Sequence, residues 1–173
     1  DTEYIDSLIS KYWFITKDIK NEDIYYALEG YLFPDTYTFE SKDVSVKDIF
    51  KVMLDKMEKV LNEYKTDIQS SSYDVHDILT LASIIENESM FDKDRKDISS
   101  VLYNRLNKRM SLGCDVTTYY GSKIELGTRD LYKNEINDSN PYNTRGPNMA
   151  GKLPVRTYFN GWKSSIRSSN RAK

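Results

Sequence analysis

The chain has 173 residues, 39% of them hydrophobic and 13% aromatic, with a formal net charge of −2. That balance describes a folded chain with one core and excludes a disordered or fibrous one. No window approaches the roughly 18 consecutive apolar residues of a membrane-spanning helix.

Apolar side chains at Tyr4, Ile5, Leu8, Ile9, Tyr12 and Trp13 recur at helical spacing, so Tyr4 to Phe14 is predicted as a helix. Asp23 to Glu29 reads as a second, short helix capped by Asp23. In the following Leu28-Glu29-Gly30-Tyr31-Leu32-Phe33-Pro34-Asp35-Thr36-Tyr37-Thr38-Phe39, Pro34 forbids a continuing helix. The alternation of Tyr37 and Phe39 there suggests an extended aromatic loop or strand.

Ser45 to Tyr64 is the clearest amphipathic helix, with Val46, Ile49, Phe50, Met53, Met57, Val60 and Leu61 on one face. Ser70-Ser71-Ser72 breaks the pattern. A fourth helix runs from about Asp74 or His76 to Glu88, and a fifth from Lys96 to Arg109, burying Ile98, Val101, Leu102 and Leu106. Beyond Met110, glycines and prolines punctuate segments rich in Tyr, Thr and Asn, which read as loops and short strands.

The lone Cys114 has no internal disulfide partner, and the lone His76 cannot build a multi-histidine metal site. Asp92, Asp94 and Asp97 lack the glycine and terminal Glu of a calcium loop and read as a solvated loop and helix start. Neither metal nor cofactor is expected. Charge is unevenly spread: Ser139 to Lys173 carries seven basic residues (Arg145, Lys152, Arg156, Lys163, Arg167, Arg171, Lys173) and no acidic one. Such a segment is suited to an anionic polymer or membrane surface. Overall acidity and the lack of a recognition motif argue against nucleic acid. The chain starts at Asp1, without a basic and apolar leader, and reads as an excised fragment.

The most chemically suggestive stretch is Ile84-Ile85-Glu86-Asn87-Glu88-Ser89-Met90, which puts two carboxylates and a hydroxyl at the end of an apolar helical run. A carboxyl group that loses solvent holds its proton more tightly, and a protonated Glu is what glycosidic-bond cleavage needs as its general acid. The alternative is a solvated helix end. Glu86 and Glu88 flank opposite edges of the apolar stripe, so periodicity does not choose between them.

Four segments in order resemble the MltG (YceG-like) family of endolytic peptidoglycan transglycosylases. They are Leu28-Glu29-Gly30 through Pro34-Asp35-Thr36-Tyr37, and Leu81-Ala82-Ser83-Ile84-Ile85-Glu86-Asn87-Glu88-Ser89. The third runs from Val101 through Asn104-Arg105-Leu106, Met110, Leu112, Asp115, Thr117, Tyr120 and Gly121. The fourth is Pro141-Tyr142-Asn143-Thr144 with Leu153-Pro154. Val116 replaces the usual proline after Asp115, Gly113 sits where Gln is common, Arg145 stands where a second Tyr is usual, and the usual proline after Asn160-Gly161 is missing.

The resemblance implies cleavage of the β-1,4 bond between N-acetylmuramic acid and N-acetylglucosamine within glycan strands, leaving 1,6-anhydro ends. The muramic acid C6 hydroxyl is the implied nucleophile, so one Glu serves as acid and then base without a second carboxylate. Matched residue by residue, the catalytic role falls on Glu88. Ser89 is in support, and Glu86 is the second candidate, with a structural role bonding a loop, Arg95 or Arg105. Asp115, Thr117, Tyr120, Tyr142, Asn143 and Thr144 are the expected substrate residues, Asp115 by orienting a loop and the others as tyrosine faces and polar groups for sugar rings.

The implied fold is α+β: a mainly helical, lysozyme-like core with a small β-rich lobe in the C-terminal third. Residues 1–42 would form a helical segment with the aromatic loop, and 43–173 the catalytic core, as one domain truncated relative to the family at both ends. Implied partners are peptidoglycan strands and cell-wall synthases, at the extracytoplasmic face of a bacterial membrane, with any anchor in the part preceding Asp1. Two other activities fit the residues: a lysozyme-type hydrolase sharing Glu88, and a non-catalytic wall-binding or division scaffold.

Overall fold

The computed structural model describes residues 2–155, and every regular element among them is helical. The α-helices are α1 (Thr2–Lys11), α2 (Val46–Asn62), α3 (Lys65–Gln69), α4 (Val75–Glu88), α5 (Arg95–Asn107), α6 (Asp115–Gly121) and α7 (Lys133–Ile136), with 3-10 turns at Lys17–Lys20 and Asp92–Asp94. Arg156, Lys163, Arg167, Arg171 and Lys173 of the basic segment, and Asn160-Gly161, lie outside the described residues. The chain divides into two compact units between His76 and Asp77. No described helix is long and apolar enough to cross a membrane.

In the first unit, Ser45 starts α2 by accepting the Asp48 N–H at 3.1 Å, which satisfies one of the donors a helix start leaves open. Met57, Val60 and Leu61 of the expected apolar face are buried together with Leu54, whereas Val46, expected on that face, lies in the first turn and is 62% exposed. Tyr12, Phe14 and Tyr31 join this core, with Phe14 5.5 Å from Tyr12 and 6.1 Å from Tyr31 between ring centres. The Leu28–Phe39 stretch is thus partly a packing segment: Tyr31 and Phe33 are buried, and the Tyr31 hydroxyl lies 3.1 Å from His76 Nδ1. The short helix expected over Asp23 to Glu29 is replaced by successive turns, closed by bonds such as Glu29 N–H to Tyr26 O at 3.1 Å. Gly30 follows at a φ of 84°, a conformation glycine adopts without steric cost. Tyr37 and Phe39 lie in loop, not strand.

In the second unit, Ile78, Leu79, Leu81, Ala82, Ile84 and Ile85 make most of α4 a core element. From α5 the buried residues are Ser99, Leu102, Tyr103 and Leu106, spaced by three and four. Val101, expected in that core, is instead 50% exposed because it lies off this stripe.

The β-rich lobe expected after Met110 is absent from the described residues, which fold there as α6, α7 and turns, so the described chain is helical and not α+β. Thr, Tyr and Val favour strands by propensity, but that preference yields to context. Here polar side chains take up the backbone groups a ladder would need. Asn143 Nδ2 donates to the carbonyls of Glu135 (3.2 Å), Ile136 (3.0 Å) and Asp138 (2.8 Å), while Asn143 Oδ1 accepts the Arg145 N–H at 3.0 Å. Asp115-Val116-Thr117-Thr118-Tyr119-Tyr120 consequently winds into α6, with Val116, Thr117 and Thr118 buried.

Candidate active site

The last turn of α4 separates the two glutamates that periodicity left equivalent. Glu86 Oε1 accepts from Arg95 Nη2 at 2.6 Å, and the two side chains are only 15% and 12% exposed. Arg95 Nη1 also meets Asp92 at 3.2 Å, so one guanidinium ties α4 to the 3-10 turn that leads into α5. The helix end itself is closed by side chains. Asn87 Nδ2 donates to Ser83 O at 2.9 Å, and Ser89 Oγ donates to Ile85 O. Ser89 is therefore engaged with the backbone of its own helix.

Glu88 forms no ion pair with a described residue. The residue is exposed as a whole, but its carboxyl group faces the start of α6, where the Cys114 thiol and the Val116 backbone N–H are its hydrogen-bond donors. Burial raises its proton affinity above the ordinary glutamate value, and the nearby Asp115 carboxylate raises it further. The Cys114 and Val116 donors and the Arg145 guanidinium act in the opposite direction and do not outweigh these causes. Arg145 Nε is engaged with Asp115 Oδ1, which directs that cation's charge first toward Asp115. Burial pushes the Cys114 thiol up to about 12, and Glu88 adds to the effect, so Cys114 is a protonated donor at neutral pH. Its sulfur is also 3.6 Å from Leu112 O.

A hydroxyl network holds the loop that brings these donors to Glu88. Thr117 Oγ1 donates to Cys114 O at 2.7 Å and accepts the Thr144 N–H at 3.0 Å. Thr144 Oγ1 lies 2.9 Å from Thr117 Oγ1 and accepts the Cys114 N–H at 2.9 Å. Ser111 Oγ donates to Thr144 O, and Arg105 Nη1 donates to Leu112 O. Gly113 turns the loop at a φ of 65°, where an added Cβ would come within 3.2 Å of Arg105 Nη1.

Of the residues expected at substrate, Thr117, Tyr142, Asn143 and Thr144 are buried. The two threonines and Asn143 are taken up by bonds within the protein, including Thr118 Oγ1 to Asn143 Oδ1 at 2.6 Å. Tyr142 packs on Tyr120 with ring centres 5.0 Å apart. Asp115 and Tyr120 retain solvent exposure, and Asp115 is the one of this set whose charge acts on Glu88. Cys114 and Arg145 were missed as parts of the site. A single cysteine and one arginine carry no spacing signal, and their role comes from a contact about 25 to 60 residues away in sequence that only folding creates.

Fold and site together describe a helical protein with a carboxyl group of raised proton affinity at the end of a largely buried helix. The model of the YceG-like family matches residues 2–155, and the chain belongs to that family. An endolytic murein transglycosylase of Bacillus subtilis (strain 168) is 43% identical over 130 residues, 75% of this chain and 36% of that protein. An endolytic murein transglycosylase of Streptococcus pneumoniae serotype 2 is 33% identical over 149 residues, 83% of this chain and 27% of that protein. A solved structure of a yceG-like protein from Listeria monocytogenes superposes with a TM-score of 0.87 at 35% identity, covering 98% of this chain and 54% of that one. The chain thus spans 27–36% of the length of these curated relatives.

Proposed function

We propose that this chain is the catalytic region of an endolytic murein transglycosylase, with Glu88 as its single acid and base. The names of its relatives support the activity. The observation that carries the assignment within the chain is the contrast between the glutamates. Glu86 is neutralised by Arg95 at 2.6 Å, whereas Glu88 has no such partner among the described residues and a proton affinity raised by burial.

In this mechanism the protonated Glu88 gives its proton to the oxygen linking N-acetylmuramic acid to N-acetylglucosamine as that bond breaks. The resulting carboxylate then takes the proton of the muramic acid C6 hydroxyl as that oxygen bonds to the anomeric carbon. The nucleophile belongs to the substrate, so its proximity is built in and no second carboxylate has to position water. Pairing of Asp115 with Arg145 fits this economy, because Asp115 is then an electrostatic neighbour of Glu88 and not a base. Asp115 and Tyr120 are assigned to the substrate-facing side, and Glu86 and Ser89 to holding the helix end. Action on the wall places the domain outside the cytoplasm, beside the wall synthases that supply its strands.

Mass spectrometry of digested peptidoglycan tests this reading. Anhydro-muropeptides released by the wild type and lost in Glu88→Gln are the expected result. Reducing ends would instead assign a lysozyme-type hydrolase, and intact sacculi a wall-binding scaffold.

A further inference from the structure

We propose that Thr117 and Thr144 form a two-hydroxyl latch that fixes the Cys114–Val116 segment against the Glu88 carboxyl group, making both threonines positioning residues for the acid and not contacts for sugar. The inference rests on Glu88 being the acid and adds to that reading what holds its surroundings in place.

Counting donors and acceptors leads to this role. Each threonine has one hydroxyl proton. Thr117 spends its proton on Cys114 O at 2.7 Å, which leaves its lone pairs for the Thr144 N–H at 3.0 Å and the Thr144 hydroxyl at 2.9 Å. Thr144 Oγ1 accepts the Cys114 N–H at 2.9 Å and turns its own proton between Thr117 Oγ1 at 2.9 Å and Cys114 O at 3.3 Å. The Thr117 hydroxyl is thus fully used, the Thr144 hydroxyl has its proton committed and keeps one lone pair, and both residues are buried, so neither offers a sugar a donor.

The two hydroxyls hold three backbone groups, the N–H and carbonyl of Cys114 and the N–H of Thr144, while the Thr144 carbonyl accepts from Ser111 Oγ and from the Gly113 N–H at 3.3 Å. Cys114 is the residue whose thiol meets Glu88, and Val116, whose N–H does the same, sits between Cys114 and Thr117. Asp115 and Arg145, the charges that act on Glu88, are each the residue next to a latched one. Every named group around the carboxyl therefore lies on a latched residue or within two positions of one. A buried network of this kind is rigid when fully satisfied, and losing one member leaves the others unpaired.

The test compares Thr144→Val, Thr144→Ser and wild type by pH-dependent release of anhydro-muropeptides and by thermal unfolding. Valine keeps the shape but removes the hydroxyl. Displacing the reacting acid by a fraction of an ångström to about 1 Å costs on the order of 10- to 100-fold in rate. Thr144→Val should therefore lose that factor in kcat, with KM within about twofold. Loosening the latch admits water and moves Asp115 away, relieving the two largest causes of the raised Glu88 proton affinity, so the alkaline limb should move to lower pH. Thr144→Ser should restore both kcat and the limb. If Thr144→Val does not fold, Ser111→Ala, which removes only the outer bond to Thr144 O, is read in its place and should move the limb in the same direction by less. Wild-type kcat and an unmoved limb in a folded Thr144→Val, or in Ser111→Ala, would overturn the latch. A loss in KM alone would do so too, since that points to sugar contact. Failure of the wild type to release anhydro products would sink the transglycosylase reading instead.

Discussion

Glu86 and Glu88 stand two residues apart on one helix, and their replacement by Gln should have opposite effects on activity and stability. In Glu86→Gln the Arg95 guanidinium, itself 12% exposed, loses a charge-assisted bond at 2.6 Å and keeps Asp92 at 3.2 Å. Breaking a fully buried pair costs about 3–5 kcal/mol, and a hydrogen bond to a charged group is worth about 1.5–3. With residual solvent and Asp92 in place, the lower range applies, so the loss should be about 1.5–3 kcal/mol. For a chain of this size that is a drop of roughly 3–12 °C in Tm. Strand cleavage by the folded variant should stay close to wild type.

Glu88→Gln should do the reverse. Its folded-state proton affinity is raised, so the native protein favours the protonated carboxyl. The stability this group contributes is full below the unfolded pKa, and it is lost as pH rises through the folded value. Above that folded value the ionised Glu88 is therefore a liability. The neutral Gln removes it, leaving Tm unchanged or higher, while cleavage falls by about 10²–10⁴-fold for want of a transferable proton. Differential scanning calorimetry beside muropeptide mass spectrometry, both at pH 7, reads the two axes together. A Glu88→Gln protein that cleaves at the wild-type rate, with an inactive but stable Glu86→Gln, would refute the assignment.

Three further outcomes are expected. Leu106→Ala should cost about 2–5 kcal/mol in urea unfolding because Leu106 is a buried member of the α5 stripe, whereas Val101→Ala should stay within about 0.5 kcal/mol. Equal effects at the two positions would mean the α5 register is wrong. Cys114 should react with iodoacetamide at pH 8 far more slowly in the native protein than in urea, since its thiol is buried and held protonated with a pKa of about 12; comparable rates would show that the segment opens. The basic residues from Arg145 to Lys173 should make binding to purified sacculi weaken as salt rises, because exposed charges are screened over about 8–10 Å at near-physiological salt. Salt-independent binding would assign the segment no electrostatic role.

Local pattern alone determined much of this protein. The three-and-four spacing of Val60, Leu61 and their neighbours, and of Leu81, Ile84 and Ile85, is enough to specify α2 and α4, because a helix that long can bury its apolar stripe in only one way. The order of the Leu28–Tyr37, Leu81–Ser89, Asn104–Gly121 and Pro141–Thr144 segments likewise carried the family.

Tertiary structure decided the rest. Val116, Thr117 and Thr118 favour strand locally, yet they wind into α6 because Asn143, Thr117 and Thr144 take the backbone groups of the surrounding loops into side-chain bonds. The turns over Asp23 to Glu29 show the same limit, since a short segment has too little propensity to hold a helix against its surroundings. Nor could spacing distinguish Glu86 from Glu88. What separates them is Arg95 on one side and the Cys114–Val116 loop on the other, and the charge and burial around a carboxyl depend on which distant segments fold against it.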